Sequence, residues 1–201
     1  AAIRAFKPEP FYSAELKFRD FQAGGERMKE KAEAEKLVAE CCQAGCAIIT
    51  KVEQKEKSEK PPALFDLTSL QREANRQLGF TAQQTLDYTQ ALYEKKLVTY
   101  PRTDSRYLTD DMASLVPELV SVIQQSFQIQ ADVPAPVNAA QVINSKKVTD
   151  HHAIIPTKTA AGYDISSLPS GEQAILTMLA VRLICAVGTP YRYAETIVET
   201  E

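Results

Sequence analysis

Val98-Thr99-Tyr100-Pro101-Arg102-Thr103-Asp104-Ser105-Arg106-Tyr107-Leu108 concentrates several groups suited to phosphate chemistry in one short segment, and the rest of the chain reads as its support. Pro101 disfavours a helical backbone at Tyr100 and cannot itself continue a helix, so Leu97-Val98-Thr99-Tyr100 enters the segment extended. Side chains alternate along an extended strand. If the extension persists past Pro101, Tyr100, Arg102 and Asp104 share a face, and a phenol, a guanidinium and a carboxylate come within reach of one ligand. Alone, a tyrosine is a common strand aromatic, and an Arg–Asp pair is a surface ion pair worth roughly 0–1 kcal/mol. The combination is what points to chemistry.

Upstream of the segment the period is helical. Leu67 to Leu78 reads as a helix ended by Gly79, and Thr81 opens another through a Thr-x-x-Gln capping box with Gln84. Ala82, Leu86 and Tyr93 mark its expected buried stripe. Two short helices joined by Leu78-Gly79-Phe80, with an extended strand behind them, make a helix-turn-helix. Such a unit serves as a DNA-binding shape and also as a plain structural corner. Downstream, Thr109 is expected to cap a helix with Asp110 and Asp111 in its first turn, broken or restarted at Pro117. Ile129 to Pro136 reads as loop. Ser170 with Gln173 repeats the capping box and opens a helix through Val187 that is apolar on nearly every side, the buried spine of its domain.

Nearer the termini the pattern is β. Phe11 to Phe18 alternates, with Tyr12, Ala14, Leu16 and Phe18 on one face, as a half-buried strand does. Gly24-Gly25 closes a turn, Glu26 to Ala44 reads as a helix with Gly45 as its C-cap, and Ala47 to Val52 as a second strand. Glu53 to Lys60 reads as a charged linker stopped by Pro61-Pro62. Tyr191 to Thr200 alternates again. The expected fold class is therefore α+β and mainly helical, a helical domain over 64–187 inserted in a partial β domain built from 1–63 and a return strand in 188–201.

With 201 residues, 44% of them hydrophobic, the chain can bury a real core. Its net charge of −3 provides no global attraction to nucleic acid. Locally the balance differs. Residues 92–107 carry four basic groups against two acidic, and 142–158 carry three against one, whereas Glu26 to Lys60 holds eight of each and reads as a solvated surface. Cys41, Cys42, Cys46 and Cys185 lack both the spacing of a zinc site and the density of a disulfide scaffold, and read as reduced thiols. No apolar run is long enough to span a membrane and no leader is apparent, so the expectation is a cytoplasmic protein.

Together, Thr99-Tyr100-Pro101-Arg102-Thr103-Asp104-Ser105, Phe6-Lys7-Pro8-Glu9-Pro10-Phe11-Tyr12, Leu64-Phe65-Asp66-Leu67-Thr68-Ser69-Leu70-Gln71 and Asp150-His151-His152-Ala153-Ile154-Ile155-Pro156-Thr157 resemble the type IA DNA topoisomerases, closest to their topoisomerase III-like branch. The resemblance covers most of the chain and is that of a central fragment carrying the active-site tyrosine. It implies that Tyr100 attacks a DNA phosphodiester and becomes joined to the 5′ phosphate, with Arg102 and His151 at the family's arginine and histidine positions. Thr103, Asp104, Ser105 and His152 are then candidate substrate-binding residues. It further implies a helix-turn-helix-like element that presents the tyrosine, and a β portion belonging to a hinge-like arch that opens a gate. Single-stranded DNA is the implied partner, in the cytoplasm and associated with the nucleoid. Magnesium is implied for the full-length enzyme, held by a toprim domain that this sequence lacks, with no metal bound by the residues present.

Chemically, a phenol ordinarily titrates near ~10 and is a weak nucleophile at neutral pH. A guanidinium can grip two phosphate oxygens and offset the charge growing on phosphorus, and an imidazole adds a donor. Asp150-His151-His152 taken alone also suggests a metal-dependent phosphoesterase, but such a site needs further Asp or His ligands than these two histidines supply. Set against the enzyme is a non-catalytic helix-turn-helix DNA-binding module in which Tyr100 only packs. Covalent capture of DNA separates the two.

Overall fold

A computed structural model describes residues 7–17, 19, 22–131 and 133–200. Phe6 of the amino-terminal motif and Phe18 of the expected strand lie outside the described residues. The elements in chain order are β1 (Glu15–Lys17), β2 (Gln22–Gly24), α1 (Lys31–Ala44), β3 (Ile49–Glu59), α2 (Leu67–Leu78), α3 (Ala82–Glu94), α4 (Val116–Ser126), α5 (Lys158–Ala161), α6 (Ser170–Ala186) and β4 (Tyr191–Thr200). Helix outweighs strand, as the α+β reading requires. The described residues fall into two compact units, one made of those up to Glu56 with those from Ala194 onward, the other of Lys57–Tyr193.

In the first unit β1 and β2 pair antiparallel, Leu16 opposite Ala23, and Tyr12 bridges to Met28. Tyr12, Ala14 and Leu16 are half-buried while Ser13, Glu15 and Lys17 are exposed, the alternation that the sequence carries. That bridge corrects the start of α1. Met28 exchanges backbone hydrogen bonds of 2.7 and 2.8 Å with Tyr12, so the helix begins at Lys31 instead of Glu26. The charged stretch after Val52 is also not a linker. β3 runs on to Glu59 and pairs with β4, and nearly every residue of β3 is solvent-exposed, so the strand has no hydrophobic alternation to read. Lys51 lies 3.3 Å from Glu199 across the ribbon and 3.0 Å from Glu53 along it, so the charges here match the pairing.

In the second unit α2 and α3 form as read. Asp66 caps α2 through a capping box with Ser69 that the sequence reading had not singled out, Gly79 ends it in the left-handed region at φ 71°, and the Thr81–Gln84 box opens α3. The buried stripe of α3 is Thr85, Thr89 and Leu92, however, and not Ala82, Leu86 and Tyr93. Threonine is admissible there because each hydroxyl donates to a carbonyl four residues back, Thr85 to Thr81 at 3.0 Å and Thr89 to Thr85 at 2.6 Å. Buried polar groups so satisfied cost little.

α6 is the spine, with Ile175, Leu176, Leu179, Ala180, Leu183 and Ile184 all buried, and it packs against α3 and α4. Its start differs from the expectation. Pro169 is the N-cap, without a side-chain bond, and Gln173 donates instead to the Leu168 carbonyl at 2.6 Å. Likewise Thr109 makes no capping bond. It precedes a short 3-10 turn at Asp110–Met112, the amide of Asp110 bonds Ser145 Oγ, and α4 restarts at Val116 with Pro117 in its first turn.

Gly171, in the first turn of α6, lies beneath the ring of Tyr88, where a Cβ would collide with three ring carbons. Gly171→Ala is expected to lower stability by about 1–3 kcal/mol through overpacking, read as a fall in the denaturation midpoint at unchanged m-value. An unchanged midpoint would refute the α3–α6 packing described here.

Candidate active site around Tyr100

The segment that carries Tyr100 is launched by the way α3 stops. Lys96 stands in the left-handed region at φ 61°, its amide bonds Tyr93 O at 2.8 Å, and the Leu97 amide bonds Leu92 O at 2.9 Å. This is a Schellman closure with lysine in the place usually held by glycine. Thr157 Oγ1 donates to the Lys96 carbonyl at 2.6 Å and holds the turn. Lys96→Gly is expected to stabilise the fold by about 0.5–1 kcal/mol, since the left-handed cost to an L-residue exceeds the added freedom of the unfolded glycine chain. Thermal melts that show a loss instead would mean that the lysine side chain itself holds the turn.

From Leu97 the chain is extended and sewn to the segment around His151. The Thr99 amide bonds Ile155 O at 3.0 Å, the Thr157 amide bonds Leu97 O at 2.9 Å, and Val98 bridges Pro156. Three hydroxyls add to this. Thr99 Oγ1 donates to Ala153 O and accepts from the Ile155 amide, both at 3.0 Å. Thr103 Oγ1 donates to the His151 carbonyl at 2.7 Å and accepts from the Ser105 amide at 3.1 Å. Ser105 Oγ donates to Lys147 O at 2.9 Å.

Burial alternates accordingly. Pro101, Thr103 and Ser105 are buried, the last two 7% and 3% exposed, while Arg102, Asp104 and Arg106 face solvent with Tyr100 half-buried at the head of their row. Thr103 and Ser105 thus spend their hydroxyls inside the protein, which places them under the site and not on its open face. Asp104 accepts from Thr149 Oγ1 at 3.1 Å. His152 is half-buried, with Nδ1 2.9 Å from the Ala153 carbonyl.

The strapping brings Tyr100 and His151 together. Their ring centroids are 4.3 Å apart with planes inclined at 42°, and Tyr100 also meets Tyr93 edge-to-face with centroids 5.5 Å apart. Tyr93 was read as part of a buried stripe. It is 39% exposed and belongs to this aromatic cluster instead, a place that its spacing along α3 does not reveal. Arg102 has no hydrogen bond or ion pair among the described residues and is available to a ligand. The mild basicity of the windows is reduced elsewhere, because Lys95 pairs with buried Glu172 at 2.7 Å and Lys158 with Glu118 at 2.6 Å.

No group of three or more His, Cys, Asp or Glu among the described residues is arranged to hold a metal ion. By themselves the described residues therefore offer no ready-made magnesium site. No described helix is long and apolar enough to cross a membrane.

A family model described as DNA topoisomerase matches residues 1–201. The chain belongs to the DNA topoisomerase family. Among curated relatives it is similar to the DNA topoisomerase 3 of Shouchella clausii strain KSM-K16, 38% identical over an alignment of 198 positions that covers 92% of this chain and 27% of the relative. It is also similar to the DNA topoisomerase 3 of Bacillus subtilis strain 168, 32% identical over an alignment of 213 positions that covers 100% of this chain and 29% of that protein. Among solved structures, full-length topoisomerase I from Thermotoga maritima aligns at a TM-score of 0.69 and 25% identity, over 99% of this chain and 33% of that one. This topoisomerase chain therefore spans less than a third of the length of the curated relatives it matches.

Proposed function

We propose that this chain supplies the nucleophile half of a type IA active site, in which Tyr100 cleaves one strand of DNA and holds its 5′ end. The observation that carries this reading is the juxtaposition of Tyr100 with His151 beside an unpartnered Arg102 on one exposed face. The phenolic oxygen attacks phosphorus, the bond to the 3′ oxygen breaks, and that oxygen leaves with a proton. The phosphotyrosine keeps the bond energy, so the reverse attack reseals the strand after another has passed through the gap. Arg102 neutralises charge on the non-bridging oxygens through two parallel donors, and the exposed imidazole of His151 adds a third. Thr99, Thr103 and Ser105 position both segments by pinning their backbones.

Protonation of the leaving 3′ oxygen has no evident donor beside Tyr100, since Asp104 is engaged with Thr149. The full reaction is accordingly assigned to the longer protein that the relatives' lengths imply, with magnesium and the acid contributed by its toprim portion. The substrate is DNA, chiefly single-stranded.

The test is to incubate the full-length protein with a 3′-end-labelled single-stranded oligonucleotide and magnesium, quench with denaturant, and look for label that migrates with protein. A covalent adduct mapping to Tyr100 is expected. Binding without any adduct would leave the helix-turn-helix module as the better account.

A further inference from the structure

We propose a second DNA-contacting element, a row of guanidiniums that leads from the Tyr100 face to the groove between α2 and α6 and grips backbone phosphates of the bound strand. The inference rests on the reading of the chain as a DNA-strand-cleaving topoisomerase. Arg106 continues the exposed row of Arg102 and Asp104, and its Nε donates to the Leu64 carbonyl at 3.2 Å, leaving its Nη groups without a partner among the described residues. The neighbouring carbonyl, Ala63, accepts from Arg182 Nη1 at 3.3 Å. Consecutive carbonyls thus hold two guanidiniums side by side.

Arg182 is further fixed over the face of Phe65, 4.0 Å from the ring centroid, with Nη2 3.9 Å from Glu73 Oε1. Arg76 reaches the same carboxylate oxygen at 2.6 Å. Arg76 and Arg182 therefore share Glu73, and with Arg106, Arg102 and Asp104 the row counts four cations against two anions.

Like charges set side by side on a preorganised scaffold are costly unless something anionic joins them. Burial above all, with smaller contributions from the nearby Arg106 and Arg76 that the Glu73 carboxylate opposes, holds Arg182 below the usual arginine value. The groove beyond has a volume of about 610 Å³; Pro62, Phe65, Leu78, Met178 and Val181 make much of its wall apolar, while Arg182 stands at it with the hydroxyls of Ser170 and Thr177, groups that suit phosphate and sugar oxygens. From Tyr100 to Arg106 an extended chain reaches at most about 20 Å, so the row continues the site and does not form a remote patch.

Binding of this chain to a fluorescein-labelled oligothymidylate, followed by anisotropy between about 50 and 200 mM salt, tests the row. Arg106→Gln and Arg182→Gln are each expected to weaken binding roughly three- to tenfold, between an exposed ion pair and a charge-assisted hydrogen bond, and to flatten the salt slope by about 0.7. Lys36→Gln on α1 is expected to change neither. Because Arg182→Gln also loses packing on Phe65, the exposed Arg106→Gln keeps the test decisive if it unfolds. Arg106→Gln binding within twofold of the parent at the same slope, while Arg102→Gln binds weakly, would overturn the row and leave DNA at the Tyr100 face. A parent chain that binds no oligothymidylate at all would overturn the row and the underlying reading together.

Discussion

Tyr100→Phe in the full-length protein abolishes covalent capture of DNA while leaving the fold and non-covalent binding in place. The phenolic oxygen is the only atom lost, and it makes no hydrogen bond among the described residues. The ring keeps its contacts with His151 at 4.3 Å and Tyr93 at 5.5 Å, so stability changes by no more than about 0.5 kcal/mol. No other residue of the exposed row carries a hydroxyl that can attack, because Thr103 and Ser105 are buried with their oxygens engaged. The measurement is a denaturing gel of 3′-labelled oligonucleotide with the two proteins side by side, together with their thermal melts. An adduct that persists in the phenylalanine protein would assign the nucleophile elsewhere.

Arg102→Lys is expected to slow cleavage by roughly 10²–10³, the usual loss when one preorganised donor to a developing oxyanion is removed. Lysine keeps the charge but cannot make two parallel hydrogen bonds to the phosphate. The side chain is exposed and bonded to nothing else among the described residues, so the change acts on chemistry and barely on folding. Single-turnover cleavage rates separate the two roles. A lysine protein that cleaves within twofold of the parent would reduce Arg102 to a generic counter-charge.

What could be read from the sequence follows from where its signals are local. The span of α2 and the start of α3 were legible because a helix-ending glycine and the Thr81–Gln84 capping box are short-range chemistry. The extended exit into Tyr100 was legible because proline constrains its predecessor. β3 was not, since its exposed surface demands no alternation and its charges look like those of a linker. The stripe of α3 was misassigned because Thr85 and Thr89, polar by composition, bury themselves by bonding their own helix. At the site, the shared face of Tyr100, Arg102 and Asp104 followed from strand geometry. The seat of Tyr93 against Tyr100 needed the turn at Lys96 that folds the exit of α3 back on itself, and the guanidinium pair on Ala63 and Leu64 joins segments distant in the chain.

The hydroxyl stitches that position Tyr100 against His151 span long stretches of sequence, 48 residues for Thr103 to His151 and 54 for Thr99 to Ala153. Closing such loops costs chain entropy that nearby helical contacts never meet, so α2 and α3 have the means to form early and the stitches do not. The Tyr100–His151 pair is then among the last features the chain assembles and the first that a partial opening takes apart. A nascent or locally unravelled copy already has its helices but carries Tyr100 detached from its histidine, so the strand cleavage proposed for this pair would wait on completion of the fold.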